Sequence, residues 1–258
     1  MEQIEPTDSL APDADTHNAQ HGKTVTRTSV WHLVDTVLQP GVVKIRRAII
    51  GTLERRAHIS TTGAITPQAL GLPSESVGYM PSSWTTLSRI LKRSEVEGDD
   101  VFIDFGSGMG RVLYQAAMGY PFRRVEGVEM SADLTAVARE NLDRGRGSHR
   151  FRCDDIRLVT CDVHDYEIPD DLTIAYFYNP FRGAIFQSIV DRLVASVQRH
   201  PRRLRVIYLN PLEEKRLLKA GFREVRRLRG VRPGQQARAR MYELAPPKIT
   251  ARPAASAP

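Results

Sequence analysis

Val101-Phe-Ile-Asp104-Phe-Gly106-Ser-Gly108-Met-Gly110-Arg-Val112 is the stretch that decides how this chain folds. Val101, Phe102 and Ile103 are β-branched or aromatic, as suits a strand covered on both faces. Asp104 stands at the carboxyl end of that run, and glycines follow at every second position: Gly106, Gly108 and Gly110. Glycine lets the backbone turn sharply and lets a ligand reach main-chain N–H groups that a Cβ would shield. The stretch therefore predicts a buried strand, a ligand-binding turn and the opening of a helix.

Two phosphate-binding turns do not fit it. The dinucleotide fingerprint places glycines at the first, third and sixth positions, and the sixth here is Arg111. No Gly-Lys-Ser/Thr ends the turn, which excludes a P-loop. A carboxylate two residues before the first glycine also suits a cationic, amine-bearing ligand and would repel a pyrophosphate. The pattern Asp104-x-Gly106-x-Gly108-x-Gly110 resembles motif I of class I S-adenosylmethionine (SAM)-dependent methyltransferases. The resemblance implies SAM as cofactor, bound along Asp104, Gly106, Ser107, Gly108 and Gly110.

The flanking sequence supplies further acids in order. Arg124-Val-Glu-Gly-Val-Glu129 reads as a second short strand, with its terminal acid nineteen residues past Gly110. In a doubly wound sheet a carboxylate there takes the ribose hydroxyls of an adenosyl group. Ser131 is a good N-cap, and Leu134, Val137, Ala138 and Leu142 form one apolar helical face. A third strand, Ile156 to Cys161, ends on Asp162. The methyltransferase pattern implies that an acid here accepts from the adenine amino group while the Val163 N–H meets a ring nitrogen. Asp154 and Asp155 compete for that role but precede the apolar run, so Asp162 is preferred.

A fourth strand, Leu172 to Tyr178, runs into Asn179-Pro180-Phe181 at the expected carboxyl edge of the sheet. Asn-Pro also initiates turns with no ligand involved. Phe186, Ile189, Val190, Leu193, Val194 and Val197 mark an amphipathic helix, and Leu204 to Leu209 a fifth strand. Asn210 reads as the cap of a further helix with Pro211 at its first position and Gly221 at its end. Phe222 to Leu228 and Ala237 to Leu244 read as two final strands. The resemblance covers about residues 78–244 and implies an α/β fold: a doubly wound, mostly parallel seven-stranded sheet with an N-terminal helical cap.

Four regions are expected along the chain: a disordered tail over 1–24, a helical cap and cofactor lid over 25–95, a SAM-binding catalytic domain over 96–244 and a disordered tail over 245–258. Within the cap, Val30, Leu33, Val34, Val37 and Leu38 form one stripe; Val42, Ile45, Ile49 and Leu53 form another after a break at Pro40-Gly41. The N-terminus is acidic and lacks the apolar core of a signal peptide, and no apolar run is long enough to span a bilayer. Cys153 and Cys161 make no metal-ligand set. A cytoplasmic enzyme with neither metal nor membrane partner is the expectation, and the sequence leaves its oligomeric state open.

A net charge of +7 and a pI near 9.6 invite a nucleic-acid partner. The excess lies late, from Arg199 to Arg240, without the interleaved aromatics that a base-stacking surface requires. Nucleic acid is thus possible but not favoured, and the methyl acceptor is read as a small molecule or a protein.

Methyl transfer from a sulfonium is an in-line displacement, in which the enzyme aligns the reactants and excludes water. Asn179, Pro180 and Phe181 are the candidate catalytic residues. The Asn179 carboxamide oxygen and the Pro180 carbonyl would accept from an amine N–H and aim its lone pair at the methyl carbon. That is the logic of the Asn-Pro-Pro-aromatic motif in adenine-N6 and glutamine-N5 methyltransferases, although here Phe181 replaces the second proline. Asn179 could instead hold the cofactor's methionine end, and Tyr178 and Phe181 either line the transfer channel or belong to the core.

Motif I further resembles that of the non-SET histone-lysine methyltransferases. That likeness makes Tyr79, in Tyr79-Met-Pro81-Ser82, a cover for the methionine part of SAM; a plain turn capping the next helix through Ser82 or Ser83 is the other reading. Arg111 either pairs with an acid at the cofactor's edge or is solvated. An amine or protein side-chain nitrogen leads as acceptor. Small-molecule O-methylation, or a non-catalytic adenosyl-ligand or partner-binding protein on the same fold, is the alternative.

Overall fold

The computed structural model describes residues 39–66, 68–70, 78–228 and 239–246. The chain divides into two compact units, 1–46 and 47–258, and of the first only the opening turns of one helix are described. That helix, α1, is Gln39–Ala57. The Pro40-Gly41 break between the two apolar stripes is therefore its first turn, where proline is tolerated because the missing N–H would have no partner anyway. The stripe from Val30 to Leu38 and the tails 1–24 and 247–258 lie outside the described residues.

The second unit is built on β1 (Val101–Phe105), β2 (Arg124–Glu129), β3 (Ile156–Thr160), β4 (Ile174–Phe177), β5 (Leu204–Leu209), β6 (Arg223–Leu228) and β7 (Ala239–Leu244). They form one sheet in the order β3-β2-β1-β4-β5-β7-β6, parallel except for β7, which runs antiparallel to both neighbours. The helices between them are α2 (Thr86–Ile90), α3 (Arg111–Gly119), α4 (Ala132–Ser148), α5 (Gly183–Arg199) and α6 (Glu214–Lys219).

β1, β4 and β5 are buried at every position, which is why their sequences read as continuous apolar runs. Alternation along them feeds two cores. Phe102 and Tyr176 pack with Leu113 and Ala117 of α3, whereas Ile103, Phe105 and Phe177 pack with Phe186, Ile189 and Leu193 of α5. Phe105 and Phe177 stack with centroids 4.9 Å apart, and Phe186 meets Phe177 edge-on. Each such pair adds about 0.5–1.5 kcal/mol beyond its buried area.

One helix start differs from the expectation. α6 begins at Glu214, and Asn210 does not cap it. Asn210 has φ +48° and turns the chain at the end of β5. Glu213, at the helix entrance, accepts from the Gly183 N–H and from Arg216, which fixes the start four residues past Asn210. Gly221 does end α6: its φ is +95°, and the following Phe222 N–H reaches back to the Leu217 carbonyl. Among the described residues no helix is long and apolar enough to cross a membrane.

Candidate functional site

The sheet places the turn after β1, the end of β2 and the turn after β4 side by side, around a cavity of about 590 Å³. That size suits a small-molecule or cofactor site (~300–1,000 Å³). Gly106, Gly108 and Gly110 have φ of +78°, +54° and +79°. The Gly106 and Ser107 N–H groups both donate to the Val128 carbonyl, at 2.8 and 3.1 Å, which lays the turn over β2. Two of these glycines also allow close approach. A Cβ on Gly106 would stand 2.6 Å from Pro180, and one on Gly108 would stand 2.3 Å from the Tyr79 ring.

Asp104 lines this cavity and is 3% exposed, and its carboxyl has no hydrogen-bond partner among the described residues. Burial, and then the nearby Glu129 carboxylate, push its carboxyl well above the usual range. Ser107 is also in the lining, but its Oγ is buried without a partner against Gly127 of β2. Buried polar groups normally find partners, so the unpaired Asp104 carboxyl marks a place made for a ligand. Glu129 Oε2 accepts from the Gly108 N–H at 2.9 Å and Oε1 from the Ser131 N–H at 3.0 Å. These bonds hold its carboxylate between the glycine turn and the start of α4, where Ser131 Oγ accepts from the Leu134 N–H as an N-cap.

Farther along the cavity, Asp162 Oδ1 accepts from the His164 N–H at 2.9 Å, and Val163 lies buried beside it. Asp155 is bound to Arg157, and neither Asp154 nor Asp155 lines the cavity, so Asp162 is the acid at this end. Met130, Leu134 and Ile185 give this part apolar walls. Among the described residues no His/Cys/Asp/Glu group could hold a metal ion.

Beyond β4, Tyr178, Pro180 and Phe181 line the cavity, but Asn179 does not. Asn179 has φ +49°, and its Oδ1 accepts from the Tyr208 hydroxyl of β5 at 2.8 Å. Burial pushes the Tyr208 phenol up to about 12, so it stays a donor. The carboxamide oxygen expected to receive an acceptor amine is therefore engaged by the sheet. The left-handed backbone gives Asn179 the role of turning the chain so that Pro180 and Phe181 face the cavity.

The loop from Tyr79 to Ser82 closes another side. The Tyr79 hydroxyl donates to the Thr61 carbonyl at 2.8 Å, and Tyr79 pairs with Ile65 through two backbone bonds. Ser82 is no helix cap: its Oγ accepts from the Tyr176 hydroxyl, and α2 starts only at Thr86. Arg111 is 4% exposed and far from solvated. Its guanidinium bonds Glu54 and Thr61, each within 2.8 Å, and the Ser82 carbonyl at 2.9 Å. It also lies over the Trp84 ring at 5.3 Å. Asn141 of α4 bonds both the N–H and the carbonyl of Ser60, and the Met109 carbonyl within the glycine turn. Sequence reasoning missed Glu54, Thr61, Asn141 and Tyr208. Asn141 alone left a trace, as a polar residue seven past Leu134 on an apolar face.

The late arginines are largely taken up inside the chain. Arg199 pairs with Asp170, Arg203 with Glu243, Arg205 with Asp100, Arg226 with Glu95, Arg227 with Glu224 and Arg240 with Glu214. Arg229, Arg232 and Arg238 lie outside the described residues.

Residues 74–151 match the family described as "Histone methylation protein DOT1". The matched segment contains the glycine turn, β2 and Glu129, and the whole sheet has the strand order with an inserted antiparallel seventh strand. The chain has the class I methyltransferase fold.

Two curated proteins resemble part of this chain. The H3 lysine-79-specific histone-lysine N-methyltransferase of Drosophila melanogaster is 37% identical over 65 residues, 25% of this chain and 4% of that protein. A protein-lysine N-methyltransferase of Saccharolobus islandicus is 29% identical over 68 residues, 26% of this chain and 42% of that protein. The aligned segments thus span less than half of either relative. Among solved structures, an RNA methyltransferase from Salinibacter ruber in complex with S-adenosyl-L-homocysteine aligns at 19% identity with a TM-score of 0.44, over 66% of this chain and 95% of that one. On this class I methyltransferase fold, the expected cofactor residues Tyr79, Asp104, Gly106, Ser107, Glu129, Asp162 and Val163 border one cavity. Gly108 and Gly110 shape its turn from behind.

Proposed function

We propose that this chain is a SAM-dependent methyltransferase that methylates a nitrogen, on an amine or a protein side chain. The observation that carries the cofactor reading is Asp104, a buried carboxylate with no partner among the described residues, at the edge of a glycine turn. A ligand bringing an ammonium group would restore what burial removes. SAM brings such a group and, when bound, supplies an electrophilic methyl on a sulfonium. Glu129 would take the ribose hydroxyls, and Asp162 and the Val163 N–H the adenine edge. Tyr79 would cover the methionine end against Gly108. The region 96–244 would form the catalytic domain and 25–95 the cap.

The nitrogen acceptor is supported by what lines the far wall. Tyr176, Tyr178, Pro180, Phe181 and Arg182 bring neither carboxylate nor imidazole to take a proton from a hydroxyl, and the one imidazole in the lining, His164, stands beside Asp162 at the end proposed for adenine. An amine that has lost its proton on leaving water needs no such base. Aromatic faces beside the sulfonium would add attraction. The two curated relatives act, by name, on protein lysines, which favours the same class here. The pairing of the late arginines weighs against a nucleic-acid acceptor.

Calorimetry with SAM, S-adenosylhomocysteine and NAD tests the cofactor. Binding of the first two only is expected, and preference for NAD or no heat with SAM sinks the reading. Labelled-methyl transfer into a cell lysate, separated into protein, nucleic-acid and small-molecule fractions, tests the acceptor. Label in protein or in an amine supports it; label in nucleic acid, or in an ester or ether, overturns it.

A further inference from the structure

Two large apolar side chains stand exposed on the carboxyl edge of the sheet, one at each end of the segment 178–183. Met80, in the loop before α2, is 60% exposed, and its Sδ accepts from the Tyr178 hydroxyl at 3.4 Å. Leu212, in the turn between β5 and α6, is 50% exposed. Its neighbour Glu213 accepts from the Gly183 N–H at 3.0 Å, which holds this turn against the start of α5. Between the two, Tyr178 and Phe181 are half-buried and line the cavity. An acceptor held wholly inside the cavity would leave Leu212, which is outside the lining, without a contact. Apolar side chains grouped at the mouth of a site mark a partner that extends beyond it, and Met, aromatic residues and Arg are enriched on such surfaces.

Charge narrows the partner. Asp104, Glu129 and Asp162 are the acids that line the cavity, and the proposed reading gives all three to the cofactor. Glu213 is taken by the Gly183 N–H and by Arg216. Arg182 is exposed, belongs to the lining, and has no hydrogen-bond or ion-pair partner among the described residues. A basic segment would therefore meet an unpaired guanidinium and no free carboxylate. A nucleic acid would bring a row of phosphates to one guanidinium among apolar side chains, and backbone binding needs several cations.

We propose that the methyl acceptor is a lysine in a polypeptide segment with apolar neighbours, docked on Met80 and Leu212, while Arg182 turns away basic neighbours. The inference rests on the SAM-dependent N-methylation read above and names the class of its acceptor. A lysine stem runs along apolar walls with its nitrogen at the polar end, and Tyr178 and Phe181 supply such walls. Apolar neighbours pressed on the opening keep water from the ammonium, which favours its neutral form. The neutral nitrogen, its proton released to water, forms the new N–C bond as the methyl carbon parts from sulfur. The products are a methylated lysine, as its ammonium, and S-adenosylhomocysteine.

The test measures labelled-methyl transfer by the full chain to three probes: acetyl-Gly-Leu-Lys-Leu-Gly-amide, acetyl-Gly-Arg-Lys-Arg-Gly-amide and acetyl-lysine-amide. For the leucine peptide kcat/KM is expected about tenfold or more above the other two, the scale of partly burying one leucine side chain. Leu212→Asp should bring the leucine peptide to within about threefold of acetyl-lysine-amide, with S-adenosylhomocysteine affinity by calorimetry within about twofold of wild type. Arg182→Glu should raise transfer to the arginine peptide by about threefold or more. Equal transfer to the three probes, or preference for the arginine peptide, overturns the proposal. A leucine preference that survives Leu212→Asp overturns it too, as does an arginine peptide that gains nothing from Arg182→Glu. Label that enters lysate protein or a small amine, but neither peptide, overturns this inference and leaves the N-methylation reading standing. Label in nucleic acid, or failure to bind SAM, overturns that reading itself.

Discussion

The ring of Tyr79 rests on the Cα face of Gly108, so close that a Cβ on that glycine would lie 2.3 Å from it. The loop before α2 and the turn after β1 therefore share one surface, and neither could move without the other. Gly108→Ala meets this ring and also needs φ +54°, a region costly for alanine. A loss of about 2 kcal/mol is expected, which for a domain of this size lowers Tm by roughly 4–8 °C. Scanning calorimetry measures this, and SAM affinity should fall in parallel.

On the proposed reading, Asp104 makes cofactor binding depend on pH. Its pKa is raised above the ordinary 3.8 by burial and then by Glu129. Its contribution to apo stability is present below the unfolded value and is lost as pH rises through the folded value. An ammonium at Asp104 would require the carboxylate form, so at pH below that raised value binding would release a proton, and it would weaken as pH falls through it. Calorimetry in buffers of different ionisation enthalpy should record the release, and Asp104→Asn should abolish it along with most of the affinity.

The Asp100–Arg205 pair is a purely structural prediction. Both side chains are nearly buried, with contacts of 3.0 and 3.1 Å. Asp100→Ala strands a guanidinium in the interior and should cost about 3–5 kcal/mol. Chemical denaturation would read this directly, while the SAM affinity of the folded fraction should stay unchanged.

Tyr208→Phe removes the donor to Asn179 Oδ1 and leaves the Asn179 side chain in place. The turn that presents Pro180 and Phe181 should loosen, while Asp104 and Glu129 are untouched. The rate of methyl transfer is expected to fall several-fold with SAM affinity within about twofold, as for loss of one positioning hydrogen bond. A matched loss in both would show that the turn serves the cofactor.

The strands were legible because their patterns are local. Val101 to Phe105 and Leu204 to Leu209 announce burial on both faces by composition alone, and Ser131 caps α4 as its position suggests. The acids at the carboxyl edge were legible for the same reason, since Asp104 and Glu129 stand in the last two positions of their strands and Asp162 two residues past the end of β3. Partners distant in the chain left no such mark. Arg111 meets Glu54 across 57 residues, Asn141 meets Ser60 across 81, and Asn179 meets Tyr208 across 29. A carboxamide after a strand looks the same in sequence whether it faces a substrate or a tyrosine. Only the left-handed φ of Asn179 and its bond to Tyr208 separate the two.

β7 fills the slot between β5 and β6, so the last strand made must enter between two made earlier. While the chain emerges from the ribosome, β5 has an open edge and β6 has no neighbour in the sheet. Every parallel pairing from β3 to β5 can form before then, whereas the antiparallel half waits for residues 239–244. Contacts that close late carry the slow part of folding and leave an edge exposed to other chains in the meantime. Arg223, Arg226 and Arg227 give the waiting β6 a charged edge, and charge on an unpaired strand disfavours pairing with other chains until Arg226 and Arg227 find Glu95 and Glu224 in the folded sheet.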